Sequence, residues 1–280
     1  MNALVVWARM IKLSHSVFAL PFALASGLLA SRTVDTTPSQ WALIVLCMVA
    51  ARASAMGFNR LVDRHFDAAN PRTADREIPS GQISVPAAWV FTLGAAGLFV
   101  AGSALLGTAT LALSPVALAI VWGYSLCKRF TSLAHVVLGV ALGLSPIAVW
   151  IALTGTVAAP ALLLSLGVAT WVAGFDILYA CQDAEFDRAA GLYSIPSRLG
   201  LPRALQISAA LHVVTVAAFA GVALVAPMGP AYALGLAVIA GVLTWEHTIV
   251  KADDLSRLDK AFFDLNGYIS LLFFASVWLA

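Results

Sequence analysis

Asn59, Asp63 and Asp67 stand at positions i, i+4 and i+8 of the stretch FNRLVDRHFDAANPRTADREIPSG, residues 58–81. At about 100° per residue they drift by only about 40° a step, so all three share one helix face. Arg52 falls on the same face about two turns away. A second group, in FDILYACQDAEFDR, supplies Asp176, Asp183 and Asp187, whose spacing places them within about 20° of one line on a continuous helix. Glu185 points to the opposite face. Between Glu77 and Asp176 the chain holds no acid at all. Carboxylates at i, i+4 repel and destabilise a helix, and one at the membrane centre costs about 2.5–3.5 kcal/mol. Two aligned stripes therefore call for a cation. An all-oxygen set suits Mg²⁺, which takes one or two carboxylates and completes its sphere with water and substrate phosphate oxygens. Asn59 adds a neutral amide oxygen, and the absence of histidine and cysteine from both stripes argues against zinc there. Two such sites facing each other would clamp a diphosphate.

The elements that must position these residues are membrane helices. Apolar residues make up 61% of the 280 positions, charged residues only 11%, and mean hydropathy is +0.92. A soluble domain carries roughly 25% charged residues. Runs of about 20 apolar residues recur along the chain, and strands have no obvious place in it. The expectation is an all-α polytopic membrane protein, a single domain over 1–280 with nine transmembrane helices around a central cavity. The spans run near 14–31, 40–58, 86–107, 109–126, 134–154, 160–180, 204–226, 230–250 and 261–279. Arg9 and Lys12 followed by SVFALPFALASGLLAS could also be a leader peptide, but a first span is the expectation in so apolar a chain. Fourteen of the sixteen basic residues fall on the side that holds the N-terminus, with Arg52 in span two and Arg32 alone on the other. The positive-inside rule makes that side cytoplasmic, at the inner membrane, and puts both acidic groups there.

The remaining polar residues have plainer readings. Arg64, His65, Asp75, Glu77, Glu185 and Arg188 read as helix ends meeting water. His15, His135, His212 and His247 read as helix-end or packed residues, and Cys47, Cys127 and Cys181 as core packing. VKADDLSRLDK at 250–260 reads as a solvated loop, and Asn266 as a cavity-lining residue of the ninth span. REIPSGQISVPAA after Asp67 and LYSIPSRLGLPRA after Asp187 share Ile-Pro-Ser and a later proline. That is a weak internal repeat, relating about 40–100 to about 160–220.

Three features together resemble the UbiA-type intramembrane prenyltransferases, which attach a polyprenyl chain to an aromatic ring in quinone biosynthesis. They are N-R-x-x-D-x-x-x-D at 59–67, D-x-x-x-D at 183–187, and YSLCKRFTSLAH at 124–135, which is similar to the family's Tyr-x-x-x-Lys-Arg-x-Thr segment. R-x-x-P-S-G at 76–81 fits as well, and the resemblance runs over essentially the whole chain. Arg60 stands where the family often has Asp, a variant of one subgroup. The pattern looks like the 4-hydroxybenzoate-prenyltransferase-like branch, some members of which are linked to a naphthoate acceptor in menaquinone biosynthesis.

The resemblance implies a set of roles. Asn59, Asp63 and Asp67 would hold one Mg²⁺, Asp183 and Asp187 a second, and a polyprenyl diphosphate would bridge the two ions. Lys128 matches the family's diphosphate-binding lysine, with Arg129 beside it and Arg76 and Arg198 as further clamps. Asp176 would orient the acceptor hydroxyl or accept a proton. Apart from the resemblance, Arg52 on the Asn59 face is a candidate for the carboxylate of an aromatic acid, with Asp63 and the diphosphate as equal alternatives for its charge. Tyr124 and Tyr179 could face an allylic cation, or simply pack. The implied reaction is prenyl transfer to 4-hydroxybenzoate, or alternatively to a dihydroxynaphthoate, within the lipid bilayer, with no nucleic acid and no protein partner required. A cation-coupled transporter would place its acids at mid-span and break its helices. A CDP-alcohol phosphotransferase would carry D-G-x-x-A-R before a single motif. Neither pattern is present.

Overall fold

The computed structural model describes residues 3–12, 19–258 and 264–280. His15, Lys260 and the first residues of the expected first and ninth spans lie outside the described residues. In chain order the helices are α1 (Ala3–Met10), α2 (Leu20–Ala30), α3 (Pro38–Ala69), α4 (Val85–Leu106), α5 (Thr108–Cys127) and α6 (Ala134–Thr154). They continue as α7 (Ala159–Ala180), α8 (Ala184–Ala189), α9 (Ile195–Leu199), α10 (Leu201–Val225), α11 (Pro230–Ile249) and α12 (Asn266–Trp278). Among the described residues there is no strand, only an isolated bridge between Lys251 and Asp254. Seven helical segments are long and apolar enough to cross a membrane: α3, α4, α5, α6, the run 159–189, α10 and α11. The protein is an integral membrane protein. The expected first and ninth spans correspond to α2 and α12, apolar helices of 11 and 13 residues over their described lengths.

The chain divides into two compact units, residues 1–16 with 37–126, and residues 17–36 with 127–280. In the first, α3 is the spine. A capping box starts it: Gln40 N–H donates to Thr37 Oγ1 at 3.3 Å, Thr37 N–H donates to Gln40 Oε1 at 2.8 Å, and Pro38 follows the cap. Its 32 residues span about 48 Å, beyond the roughly 30 Å of a hydrocarbon core. Asn59, Asp63 and Asp67 therefore sit on unbroken helix. Trp122 Nε1 of α5 donates to Ser54 Oγ at 3.0 Å, Ser54 in turn donates to Thr92 O of α4 at 3.1 Å, and Phe58 stacks on Trp122. The loop after α3 folds back on α1, where Ile78 and Ile83 join Val6, Met10, Leu61 and Ala88 in one apolar cluster.

In the second unit α2, α6, α7, α10, α11 and α12 each pack on the next, and α12 returns to α2. The α6–α7 contact is close because Gly139 and Gly143 carry no side chain; a Cβ at either would collide with backbone oxygens of Ala169 and Ser165. Phe22, Trp171, Phe219, Tyr232 and Phe273 bring α2, α7, α10, α11 and α12 into one aromatic core. Each is nearly fully buried, and Tyr232 satisfies its hydroxyl on Phe219 O at 2.7 Å. Arg32, just past α2, donates to Pro227 O at 2.9 Å and Val277 O at 3.1 Å. The C-terminal ends of α2, α10 and α12 thus share one side of this unit.

Candidate active site

In the first unit the acidic stripe is built from α3 and the loop behind it. Asn59 Nδ2 donates to Asp63 Oδ2 at 3.0 Å and to Ser125 Oγ at 3.3 Å. Asp67 is buried. Its Oδ1 accepts from Arg76 Nη1 at 2.6 Å, while Oδ2 has no hydrogen bond. Arg76 reaches it because Thr73 Oγ1 donates to Asp67 O at 3.0 Å and the chain turns tightly after Asn70. Two guanidinium groups of α3 meet the C-terminal end of α1: Arg60 Nε donates to Met10 O and Arg52 Nη2 to Lys12 O, each at 3.4 Å. Arg52 Nε is buried without a hydrogen bond. Burial first, and then the charges of Arg60, Arg76, Arg72 and Arg52, push the Lys12 ammonium down to about 8. Lys12 and these four arginines make a cluster of five cations that reaches the stripe where Arg76 pairs with Asp67, an arrangement that invites a polyanion.

Glu77 departs from its reading as a water-facing residue. It is buried and faces Arg9 Nε at 4.0 Å, because the loop carrying it packs down on α1. Arg60 was visible only as an irregularity in the motif, yet it is 3% exposed and is the most buried arginine described.

In the second unit the single helical phase expected for Asp176, Asp183 and Asp187 does not hold. The α7 helix ends at Ala180, and Cys181–Asp183 form a 3₁₀ turn before α8. Gln182 Nε2 donates to Tyr179 O at 2.9 Å, the carbonyl that a continuing α-helix would pair with the Asp183 N–H. Asp183 and Asp187 are buried all the same, and Glu185 between them is exposed. Asp187 Oδ2 has no hydrogen bond and faces Lys128 Nζ at 3.6 Å. Lys128 is held in turn by its carbonyl, which accepts from Tyr193 N–H at 2.7 Å. Arg198 stacks on the Tyr193 ring at 3.8 Å, Arg129 is exposed, and Tyr179 packs against the Ile177, Cys181 and Ile195 cluster. Tyr124 is half-buried at the end of α5.

Asp176 has a partner that its neighbours in sequence do not reveal. His135 Nδ1 lies 2.6 Å from Asp176 Oδ2, and Ile195 N–H donates to His135 Nε2 at 3.4 Å. An N–H can only donate, so Nε2 carries the lone pair and Nδ1–H donates to the carboxylate. His135 closes the segment 124–135 singled out above, which was the available signal.

Both clusters fit a hard divalent ion. Each offers a buried carboxylate oxygen without a hydrogen bond, Asp67 Oδ2 and Asp187 Oδ2, and the donors are all oxygen. Comparison with known proteins agrees with this chemistry. Residues 19–277 match the model of the UbiA prenyltransferase family. Among curated proteins, the 4-hydroxybenzoate octaprenyltransferase of Klebsiella pneumoniae is 31% identical over 239 residues, covering 85% of this chain and 82% of its own. That of Sodalis glossinidius is 30% identical over 238 residues, covering 85% and 81%. Among solved structures, the apo UbiA homologue of Aeropyrum pernix K1 has a TM-score of 0.85 at 34% identity, over 95% of this chain and 97% of its own. The UbiA homologue of Archaeoglobus fulgidus bound to GPP and Mg²⁺ shares the fold, with a TM-score of 0.77 at 22% identity over 98% of both chains.

Proposed function

The chain belongs to the UbiA prenyltransferase family, and from that premise we propose that it transfers a polyprenyl group from polyprenyl diphosphate to the ring of 4-hydroxybenzoate. Two Mg²⁺ ions would serve it, one held by Asn59, Asp63 and Asp67 and one by Asp183 and Asp187. The observation that carries this reading is the pair of buried, hydrogen-bond-free carboxylate oxygens, Asp67 Oδ2 and Asp187 Oδ2, each in a cluster with a lysine or arginine. The relatives named as 4-hydroxybenzoate octaprenyltransferases support the acceptor. A dihydroxynaphthoate remains the second reading, because the motifs are shared between acceptors.

When bound, Mg²⁺ would supply Lewis-acid neutralisation of the leaving diphosphate. The chain's own residues do the rest. Arg76, Lys12 and Lys128 balance charge as the allylic C–O bond breaks and its electron pair leaves with the diphosphate. Arg52, with a spare buried N–H, holds the carboxylate of the acceptor. Asp176, oriented by His135, takes the acceptor's hydroxyl proton, which enriches the ring carbon ortho to the hydroxyl. That carbon forms the new C–C bond; its hydrogen then moves as a proton to the ring oxygen, which restores the aromatic phenol, and the proton taken by Asp176 leaves with the diphosphate. Water would quench the allylic cation, so the site must be dry. A cavity between nine crossings, counting α2 and α12, would provide that and admit the isoprenoid tail from lipid. The excess of basic residues on one side supports an N-terminus and an active site at the cytoplasmic face of the inner membrane.

The test is purified protein with a polyprenyl diphosphate and a panel of 4-hydroxybenzoate and dihydroxynaphthoates, read by mass spectrometry with Mg²⁺ and with EDTA. Product from 4-hydroxybenzoate only when Mg²⁺ is present is expected. Product from a naphthoate alone would reassign the acceptor, and full turnover in EDTA would remove the metal from the reaction.

A further inference from the structure

A cluster in the second unit takes no part in this chemistry. Glu246 of α11 is fully buried in a helix long and apolar enough to cross a membrane, a costly place for a carboxylate. Asn266 Nδ2 of α12 donates to its Oε1 at 3.2 Å, but Oε2 has no hydrogen bond. Facing Oε2 at 3.6 Å is Nδ1 of His212 on α10, itself 3% exposed. The other nitrogen of that ring, Nε2, lies 3.3 Å from Trp171 O. A carbonyl can only accept, so Nε2 carries the hydrogen and Nδ1 turns a lone pair toward Glu246. His247 Nε2 approaches the same Nδ1 at 2.9 Å.

Three acceptor-capable atoms from two helices thus lie within 4.8 Å of one another. Protons do not satisfy the set. A hydrogen on His247 Nε2 can serve His212 Nδ1, but it leaves Glu246 Oε2 bare. A hydrogen on Oε2 would face Nδ1 across 3.6 Å, too far for a hydrogen bond. The seat itself is shaped for the ring: a Cβ on Gly174 of α7 would collide with His212 Cδ2 and Nε2, so only glycine lets the imidazole lie there with Nε2 on Trp171 O.

We infer that His212 Nδ1, His247 Nε2 and Glu246 Oε2 form a binding site for a divalent transition metal of the Zn²⁺ class, which ties α10 to α11 and is separate from the aspartate clusters. Two neutral imidazoles and one carboxylate suit Zn²⁺, Co²⁺ or Fe²⁺ and suit Mg²⁺ poorly. Ligands about 2.0–2.1 Å from a tetrahedral ion are about 3.3 Å apart; the two distances to His212 Nδ1 are 2.9 and 3.6 Å, and the three ligand atoms lie within 4.8 Å of one another. The surroundings are those of a metal ligand set: a backbone carbonyl fixes the tautomer of His212, and an amide holds the distal oxygen of Glu246. Three ligands leave a fourth position for water. The ion would neutralise the buried Glu246 carboxylate and would stabilise the folded protein by mass action.

The test uses purified full-length protein in detergent, stripped with EDTA and kept in Mg²⁺. Titration with Co²⁺ should give visible d–d bands that saturate at one ion per chain, vanish on adding Zn²⁺ and persist in excess Mg²⁺. Glu246→Gln and His247→Gln should each weaken Co²⁺ binding by at least about 100-fold, whereas Asp63→Asn combined with Asp183→Asn should leave it intact. A measurement on the unaltered chain guards against a variant that fails to fold. Zn²⁺ should protect His247, which is half-buried, from carbethoxylation by diethyl pyrocarbonate, as read by peptide mass mapping. Absent d–d bands, bands that survive in the folded variants, displacement by Mg²⁺, or His247 modified equally with and without Zn²⁺ would each overturn the site.

Discussion

Replacing His135 by leucine removes the donor that orients Asp176 while keeping a side chain of similar bulk. The bond lost is short, 2.6 Å, between a ring with no solvent exposure and a carboxylate that is 23% exposed. A hydrogen bond to a charged group contributes about 1.5–3 kcal/mol. If all of it serves to hold Asp176 against the acceptor, the loss is about 10- to 150-fold in kcat, at about 1.4 kcal/mol per decade. Ile195 N–H also loses its acceptor, but that bond is long, at 3.4 Å, and adds little. Steady-state assays should show kcat falling with the KM for prenyl diphosphate unchanged, and His135→Gln, which retains a donor, should recover part of the rate. A thermal melt of each variant separates a folding defect from a rate defect. The decisive comparison is a double-mutant cycle with Asp176→Asn. If His135 acts through Asp176, the double variant should be no slower than Asp176→Asn alone. Rate losses that simply multiply, or a His135→Leu enzyme with the parental kcat, would refute the dyad.

Three further outcomes follow from the geometry. Asp63→Ala, Asp67→Ala, Asp183→Ala and Asp187→Ala should each lower kcat/KM by at least about 100-fold, in line with removing a group that stabilises transition-state charge, while Glu185→Ala, on an exposed side chain, should stay within twofold of the parent, or about 0.4 kcal/mol; an inactive Glu185→Ala beside an active Asp183→Ala would invert the assignment. Arg52→Ala should raise the KM of the aromatic acid about tenfold or more and spare the prenyl diphosphate, the signature of a binding contact made to one substrate; equal rises would move Arg52 to the diphosphate. Lys12 loses its proton near pH 8 in the free protein, and a bound diphosphate favours the ammonium, so diphosphate affinity should fall as pH climbs from 7 to 9 and this fall should be absent in Lys12→Met; identical pH profiles by titration calorimetry would exclude Lys12 from the anion site.

What the sequence made legible was local, and what it hid was tertiary. The Asn59–Asp63–Asp67 stripe could be read because α3 runs without interruption through all three positions. The same arithmetic misplaced Asp176 relative to Asp183, because one side-chain amide, Gln182, takes a carbonyl that the helix needed. His135 and His212 looked like ordinary packed residues, since each finds its partner on another helix and no spacing rule records that. The count of crossings was blurred for a different reason. Hydropathy marks where apolar residues are, whereas the described parts of α2 and α12 are only 11 and 13 residues long.

The length of α3 has a mechanical corollary. Its capping box at Thr37 and its acidic stripe belong to one stiff rod, with Gln40 and Asp63 about 35 Å apart along the axis. Nothing in the helix can take up slack between them. A bilayer that grips the apolar middle of such a rod sets the height of the aspartates directly: a thicker membrane draws the stripe toward hydrocarbon, and a thinner one lifts it toward water. Under the proposed reaction, lipid thickness would thereby act on the dryness of the site through a single helix, and the surrounding membrane would be a determinant of rate as well as a solvent for the prenyl chain.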